Sequence, residues 1–161
     1  MDARKYRIIV VILLCSAAAV SAYILKVDDF LWSVNSINGH AYGLAAFLAG
    51  NIVLVILLLI RLKLGTILSM FWGVAQIALI GGDIAAALGL SGMGFTSSDA
   101  FDYLIKGKGN ITGLATDALI VLYALISVFS LLAYLRIRKE ARTSLPTEGD
   151  VKAPEAPEEA E

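Results

Sequence analysis

Five polar residues inside the apolar stretches of this chain are the ones whose chemistry and spacing could form a site. They are His40, Asn51, Gln76, Asp83 and Asp117. Counted along a helix from the basic residue that bounds the opposite end of each stretch, the imidazole and both carboxylates reach one level, ~30 Å away. Asn51 and Gln76 fall nearer the middle of their stretches. Two carboxylates and an imidazole at one depth could bind a divalent cation, relay protons or hold the polar head of a quinone-like substrate.

One of these residues, Asp83, belongs to a regular series. Ser69, Gln76 and Asp83 are spaced seven apart, so on a helix they form one slowly drifting stripe. Polar groups are costly in hydrocarbon, so we expect the stripe to face protein rather than lipid. Gly81 and Gly82 precede Asp83 and allow close backbone approach, which makes it the strongest single candidate.

An alternative interpretation assigns no site to these residues. The imidazole and both carboxylates would lie where the membrane interface provides water, and Lys26 would neutralise one carboxylate. Asn51 and Gln76 would then make interhelical hydrogen bonds worth about 1 kcal/mol each. The sequence leaves both interpretations open.

Several familiar chemistries are excluded by composition. The single cysteine, Cys15, cannot form a disulfide within the chain, and the single histidine, His40, cannot provide both axial ligands of a haem. No phosphate-binding loop, serine hydrolase elbow or paired-histidine motif occurs in the sequence. We therefore expect no catalytic residues, no resident metal and no cofactor.

Four long apolar stretches must position the polar residues. They cover about 7–25, 42–60, 66–90 and 113–135, each close to the ~20 residues that cross a bilayer core. Hydrophobic residues make up 58% of the 161 residues, and mean hydropathy is +0.79. A soluble domain of this size could not bury so much apolar surface. The sequence predicts an all-α integral membrane four-helix bundle.

Basic residues alternate between the two sides of these stretches. One side has most of them: Arg4, Lys5, Arg7, Arg61, Lys63, Arg136, Arg138, Lys139 and Arg142. This is the positive-inside pattern, which predicts cytoplasmic N- and C-termini, most simply in the plasma membrane. The second and third spans are joined only by Arg61 to Gly65, which predicts antiparallel neighbours in an up-down bundle.

The first span has a second interpretation. A basic n-region, an apolar run over 8–15 and the triplet Val20-Ser21-Ala22 resemble a cleavable signal peptide. The apolar run continues to Leu25, however, which is long enough to cross the membrane. We expect the span to be retained.

The connections and the C-terminal segment complete the organisation. In the external loop, 92–112, Ser97 or Ser98 could cap a short interfacial helix that ends near Lys106. Asn110 opens an Asn-Ile-Thr triplet, a possible glycosylation site. We expect residues 1–142 to form the transmembrane domain. The acidic, proline-containing segment 143–161 is expected to be a disordered cytoplasmic tail.

Small residues provide the expected surfaces for helix packing in lipid, where close approach of backbones drives association. They lie at helical spacing on the second and third spans: Gly43, Ala46, Gly50, Gly82 and Ala86. Such faces could pack within one bundle or against other subunits. A sequence cannot specify which.

Two functional hypotheses follow. The first is a non-catalytic polytopic membrane protein, an accessory or structural subunit of a larger complex, whose partners are the bilayer and other membrane subunits or copies of itself. The second is a small oligomeric transporter or ion-conducting protein that uses Asp83 and Asp117. A nucleic-acid partner is not expected, because the net charge is −1 and the basic residues mark membrane boundaries.

Overall fold

A computed structural model describes residues 2–29, 32, 38–87 and 111–143, with backbone alone at 38–40, 83–87 and 111–113. These residues form four helices: α1 (Ala3–Val27), α2 (Asn38–Ile60), α3 (Leu62–Ala87) and α4 (Ile111–Thr143). All four are long and apolar enough to cross a membrane. The all-α architecture predicted from the sequence is confirmed, and it is compatible with an integral membrane protein.

The connection between α2 and α3 is shorter than the predicted 61–65 turn, because only Arg61 is non-helical. The Arg61 N–H donates to the Leu57 carbonyl at 2.7 Å, and the Gly65 N–H donates to the Arg61 carbonyl at 2.9 Å. A Cβ on Gly65 would lie 2.6 Å from the backbone nitrogen of Leu58. The short α2–α3 connection therefore requires glycine at this position.

The last helix continues well beyond the predicted end of the fourth span at residue 135. Within this extension Arg136 and Glu140 form an ion pair one turn apart, with Nε and Oε1 separated by 3.1 Å. The Thr143 hydroxyl donates to the Lys139 carbonyl at 2.8 Å. The basic residues after the span therefore lie on continuous helix. The proposed 97–106 helix, Asn110 and the tail beyond Thr143 lie outside the described residues.

The four helices pack as neighbours around one interior. Helix α1 contacts α2 and α4, and α3 contacts α4 and α2. Apolar side chains from three helices form the buried cluster, and its largest aliphatic members are Leu14, Leu58, Leu119 and Ile126. Many other large apolar side chains lie on the outer surface, where lipid would cover them.

In helix α3 polar and small residues face the interior and apolar side chains face outward, the reverse of the usual arrangement in a soluble protein. Its buried residues are Gly65, Thr66, Ser69, Gly73 and Gln76, and no buried hydrophobic side chain of the described core belongs to this helix. Its large apolar residues face outward instead: Leu64, Leu68, Phe71, Val74 and Leu79. This distribution suits a lipid environment, since polar groups are sheltered from hydrocarbon. The predicted stripe thus faces protein at Ser69 and Gln76.

Candidate functional site

The centre of the bundle contains one side-chain amide that connects three helices. Asn51 of α2 is fully buried, and its Nδ2 donates to the Tyr123 hydroxyl of α4 at 3.0 Å. Its Oδ1 accepts a hydrogen bond from the Trp72 indole Nε1 of α3 at 2.9 Å. Both ends of the amide are used, so Asn51 makes the interhelical hydrogen bonds that the second sequence interpretation expects.

The remaining helix, α1, places the Ser21 side chain close to the Tyr123 hydroxyl. The Ser21 hydroxyl donates to the Ala17 carbonyl at 2.9 Å. Hydrogen bonds therefore run from Trp72 to Asn51 and from Asn51 to Tyr123, whose hydroxyl lies beside Ser21. We call the four side chains, Trp72, Asn51, Tyr123 and Ser21, the interhelical network. Each comes from a different helix.

Two glycines make room for the interhelical network. Gly50 lies against the Trp72 indole, where a Cβ would come within 2.6 Å of ring carbon Cη2. Gly73 lies against α4, where a Cβ would come within 2.7 Å of the Tyr123 carbonyl oxygen and would also collide with the Ser127 hydroxyl. That hydroxyl donates to the Tyr123 carbonyl at 3.0 Å. The backbones of α3 and α4 approach closely because residue 73 has no side chain.

Three hydroxyl or amide groups of α3 and α4 are also buried without a hydrogen-bond partner among the described residues. They are the Ser69 hydroxyl and the Gln76 Oε1 on α3, and the Ser130 hydroxyl on α4. All three residues are almost completely enclosed. Buried polar groups are normally satisfied by protein or water, so these are the positions where the interior can still accept a ligand or a water molecule.

The predicted site of His40, Asp83 and Asp117 is only partly visible. Asp117 lies on α4 and is exposed, while His40 and Asp83 are helical residues of α2 and α3 whose side chains are not described. Among the side chains that the structure describes, no group of three His, Cys, Asp or Glu could hold a metal ion. The grouping of the imidazole with the carboxylates remains a prediction.

The predicted packing residues divide into two groups. Gly50 lies within the bundle against Trp72, whereas a Cβ on Gly43 or Gly82 would meet nothing within 4 Å. Ala46 is exposed, and Ala86 is described by its backbone alone. Most of this small-residue surface, where its side chains are described, therefore faces away from the chain's own bundle.

Three central residues were not singled out from the sequence: Trp72, Gly73 and Tyr123. Hydropathy and positional counting overlook them, because aromatic residues and glycine are compatible with any apolar span. A signal is present nevertheless. Tyr123 lies well inside its span, far from the boundaries where membrane tyrosines usually concentrate.

In comparisons with protein-family models, with curated proteins and with solved structures, nothing matches this chain. The interhelical network uses its donors and acceptors on one another, which fixes the rotation of each helix about its axis. The network therefore joins the helices of the bundle at the level of Asn51.

Proposed function

We propose that this chain is a non-catalytic integral membrane protein that serves as an accessory or structural subunit of a larger membrane assembly. The observation that carries the proposal is the position of the small residues. Gly43 and Gly82 have open space beside them, and Ala46 is exposed. Small residues on a lipid-facing surface allow another helix to approach closely, so they suit contacts with further subunits.

The interhelical network supports a structural role for the chain. Its hydrogen bonds join three helices at Asn51, Trp72 and Tyr123, and Ser21 of α1 lies beside Tyr123. Interhelical hydrogen bonds of this kind contribute about 0.6 kcal/mol each on average in membrane bundles. Their larger effect is to select one arrangement of the helices, and a subunit needs that property in order to present a constant surface to its partners.

We further propose an antiparallel up-down arrangement with both termini in the cytoplasm, most simply at the plasma membrane. Contacts across the α2–α3 hairpin support it, because Gly65 lies beside Leu58 near Arg61 and Trp72 lies beside Asn51 farther away. Cysteines introduced at residue 2 and residue 143, in a Cys15→Ser chain, are expected to react with a membrane-impermeant maleimide only from the cytoplasmic side. Reaction from opposite sides would contradict the topology.

Purification from the native membrane in a gentle detergent, followed by mass spectrometry, tests the subunit proposal. We expect stoichiometric membrane-protein partners. Ala46→Leu and Gly82→Leu are expected to release them, because each adds bulk to a surface that has room in the isolated bundle. The matched control is Val53→Leu, which adds one methylene to an exposed position of α2 that already carries a bulky side chain.

Both test variants must retain the thermal unfolding midpoint of the unchanged chain, which separates loss of partners from loss of fold. Release of partners by Ala46→Leu but not by Val53→Leu would support the proposal. If both Ala46→Leu and Gly82→Leu retain their partners, the interface does not include this small-residue surface. Purification of a homogeneous homo-oligomer without other proteins would contradict the accessory role.

A second candidate function is a small oligomeric transporter or ion-conducting protein. The observation that favours it is the set of partnerless polar groups on the interior face of α3, Ser69 and Gln76, on the same stripe as Asp83. Flux into proteoliposomes is the appropriate assay. Under this function Asp83→Asn or Asp117→Asn abolishes flux while the chain remains folded; flux that survives both substitutions excludes these carboxylates from the pathway.

A further inference from the structure

An arginine occupies the interior face of α1 near its first turn. The buried residues of this helix are Ala3, Val10, Leu14, Ala17, Ser21 and Ile24, and their three- and four-residue spacing includes position 7. Arg7 is half-buried, and its Nε is enclosed without a hydrogen-bond partner among the described residues. An enclosed guanidinium nitrogen without an acceptor is costly, so this position calls for an anion.

A second partnerless group lies at the same end of the bundle, on α4. The rings of Tyr6 and Phe129 contact each other with centroids 6.4 Å apart. Arg7 follows Tyr6 in the chain, and Ser130 follows Phe129. The Ser130 hydroxyl is completely buried and has no partner in the described part of the structure. Arg7 and Ser130 therefore lie at a similar level on α1 and α4, each one residue along the chain from this ring contact.

The carboxylates at this end of the described chain are already engaged. Asp2 caps α1, and its Oδ1 accepts from the Lys5 N–H at 2.8 Å. Glu140 accepts from Arg136 at 3.1 Å. These two acids accompany nine basic residues at this end: Arg4, Lys5, Arg7, Arg61, Lys63, Arg136, Arg138, Lys139 and Arg142. Among the described residues at this end the basic side chains therefore outnumber the acids, and this local positive charge attracts anions. The six acids of segment 143–161, predicted to lie on the same side, would compete with a lipid for it.

We propose that Arg7 and Ser130 form a binding site for the phosphate of an anionic phospholipid between α1 and α4, at the level where the Tyr6 and Phe129 rings meet. A guanidinium and a hydroxyl are suitable donors to phosphate oxygens, and arginine binds phosphate through two parallel N–H groups. Arg7 lies four residues into α1, ~6 Å from Ala3 along the helix axis, which is close to the headgroup level. Lipid headgroups are the most concentrated phosphates there.

This site does not depend on the proposed subunit function, because it needs no protein partner. The simpler alternative is that the Arg7 side chain extends to the aqueous boundary like other basic residues at membrane edges. The two arrangements differ in specificity. Binding by general electrostatic attraction weakens equally when any neighbouring basic residue is removed. Binding at a specific site weakens chiefly when Arg7 is removed.

Lipid binding to the full chain in detergent, measured by native mass spectrometry with phosphatidylglycerol or phosphatidylcholine, tests the proposal. We expect retention of phosphatidylglycerol. Arg7→Gln is expected to weaken its binding by about 30-fold, the effect of removing one partner of an enclosed charged hydrogen bond. The matched control is Arg4→Gln, which removes the same charge from an exposed position and should weaken binding by at most about fivefold.

A titration with inorganic phosphate distinguishes a lipid headgroup from a free anion. If inorganic phosphate binds, and Arg7→Gln abolishes that binding while Arg4→Gln preserves it, the site exists and also binds the free phosphate ion. Equal losses in the two variants, or equal retention of both lipids by the unchanged chain, would overturn the proposal.

Thermal unfolding provides a readout that a misfolded variant could not imitate. Without anionic lipid, Arg7→Gln should unfold no earlier than the unchanged chain, because it removes an unsatisfied group. Phosphatidylglycerol should raise the midpoint of the unchanged chain and of Arg4→Gln, but not that of Arg7→Gln. An equal rise in all three chains would likewise overturn the proposal.

Discussion

Gly50 lies so close to the indole of Trp72 that a Cβ on residue 50 would come within 2.6 Å of ring carbon Cη2. The next residue, Asn51, accepts the hydrogen bond from the same indole at 2.9 Å. One residue of α2 thus provides space for the ring, and its neighbour provides the acceptor that orients it. The position of Trp72, and with it the contact of α2 with α3, depends on both.

Gly50→Ala is expected to destabilise the bundle by about 1–3 kcal/mol, because the added methyl group collides with an aromatic ring that has little room to move. The matched control is Gly43→Ala on the same helix, where a Cβ would meet nothing within 4 Å. That variant should gain up to about 1 kcal/mol from helix propensity alone. Unfolding in mixed micelles with increasing SDS measures both, and equal stabilities would contradict the packing described.

Asn51→Leu is expected to cost about 1–3 kcal/mol, since it leaves the Trp72 N–H and the Tyr123 hydroxyl without their partner. Tyr123→Phe removes the hydroxyl that accepts from Asn51 but leaves the Trp72–Asn51 bond, so it should cost less, about 0.6 to 1.7 kcal/mol. In the double variant the two losses should not add, because both substitutions remove the same Asn51–Tyr123 bond. Additive losses would show that this bond contributes nothing. Tyr42→Phe, at an exposed tyrosine, is the neutral control.

Gly73→Ala is expected to separate α3 from α4 and to cost about 1–3 kcal/mol. The new methyl group would meet the Tyr123 carbonyl and the Ser127 hydroxyl. Removing that hydroxyl by Ser127→Ala should restore part of the loss but not all of it, since the carbonyl remains. Gly82→Ala, with open space around its Cβ, should be stable. A full rescue by Ser127→Ala would show that the hydroxyl causes the whole clash and that the Tyr123 carbonyl contributes nothing to it.

Cys15 provides a test of lipid exposure. It lies on the outer surface of α1, near the middle of the span, and is exposed in the isolated chain. Maleimides react with the thiolate, which hydrocarbon disfavours, so the cysteine should stay unmodified in membranes and react after denaturation in SDS. Thr143→Cys in a Cys15→Ser chain is the exposed control and should react at once. Equally rapid labelling of Cys15 in intact membranes would place water at that surface.

Hydropathy and helical periodicity predict much of this fold from the sequence. The four apolar helices follow from their lengths, and the burial of Ser69 and Gln76 follows from their seven-residue spacing. Periodicity identifies which residues share a face because that property belongs to one helix. Hydropathy in turn identifies Asn51 as a polar residue within an apolar stretch, which is costly in hydrocarbon unless it has a hydrogen-bond partner.

The identity of that partner could not be predicted in the same way. The bond between Asn51 and Tyr123 joins residues 72 apart in sequence, and it depends on how two helices are rotated against each other. The same limit applies to the glycines. Gly43 and Gly50 look equivalent in the sequence, yet only Gly50 lies against a neighbouring side chain, because the neighbour's position is not encoded in local spacing.

The inward polarity of α3 has a consequence for how the chain enters the membrane during synthesis. Of the four membrane-length stretches, its most apolar 18-residue segment is the least hydrophobic, and alone in lipid it would expose Ser69 and Gln76 to hydrocarbon. It is tied to α2, the helix that carries Asn51, by the single residue Arg61. The two helices are therefore expected to leave the insertion machinery together as a preformed hairpin, with Arg61 at its tip, so that α3 meets the bilayer beside a partner.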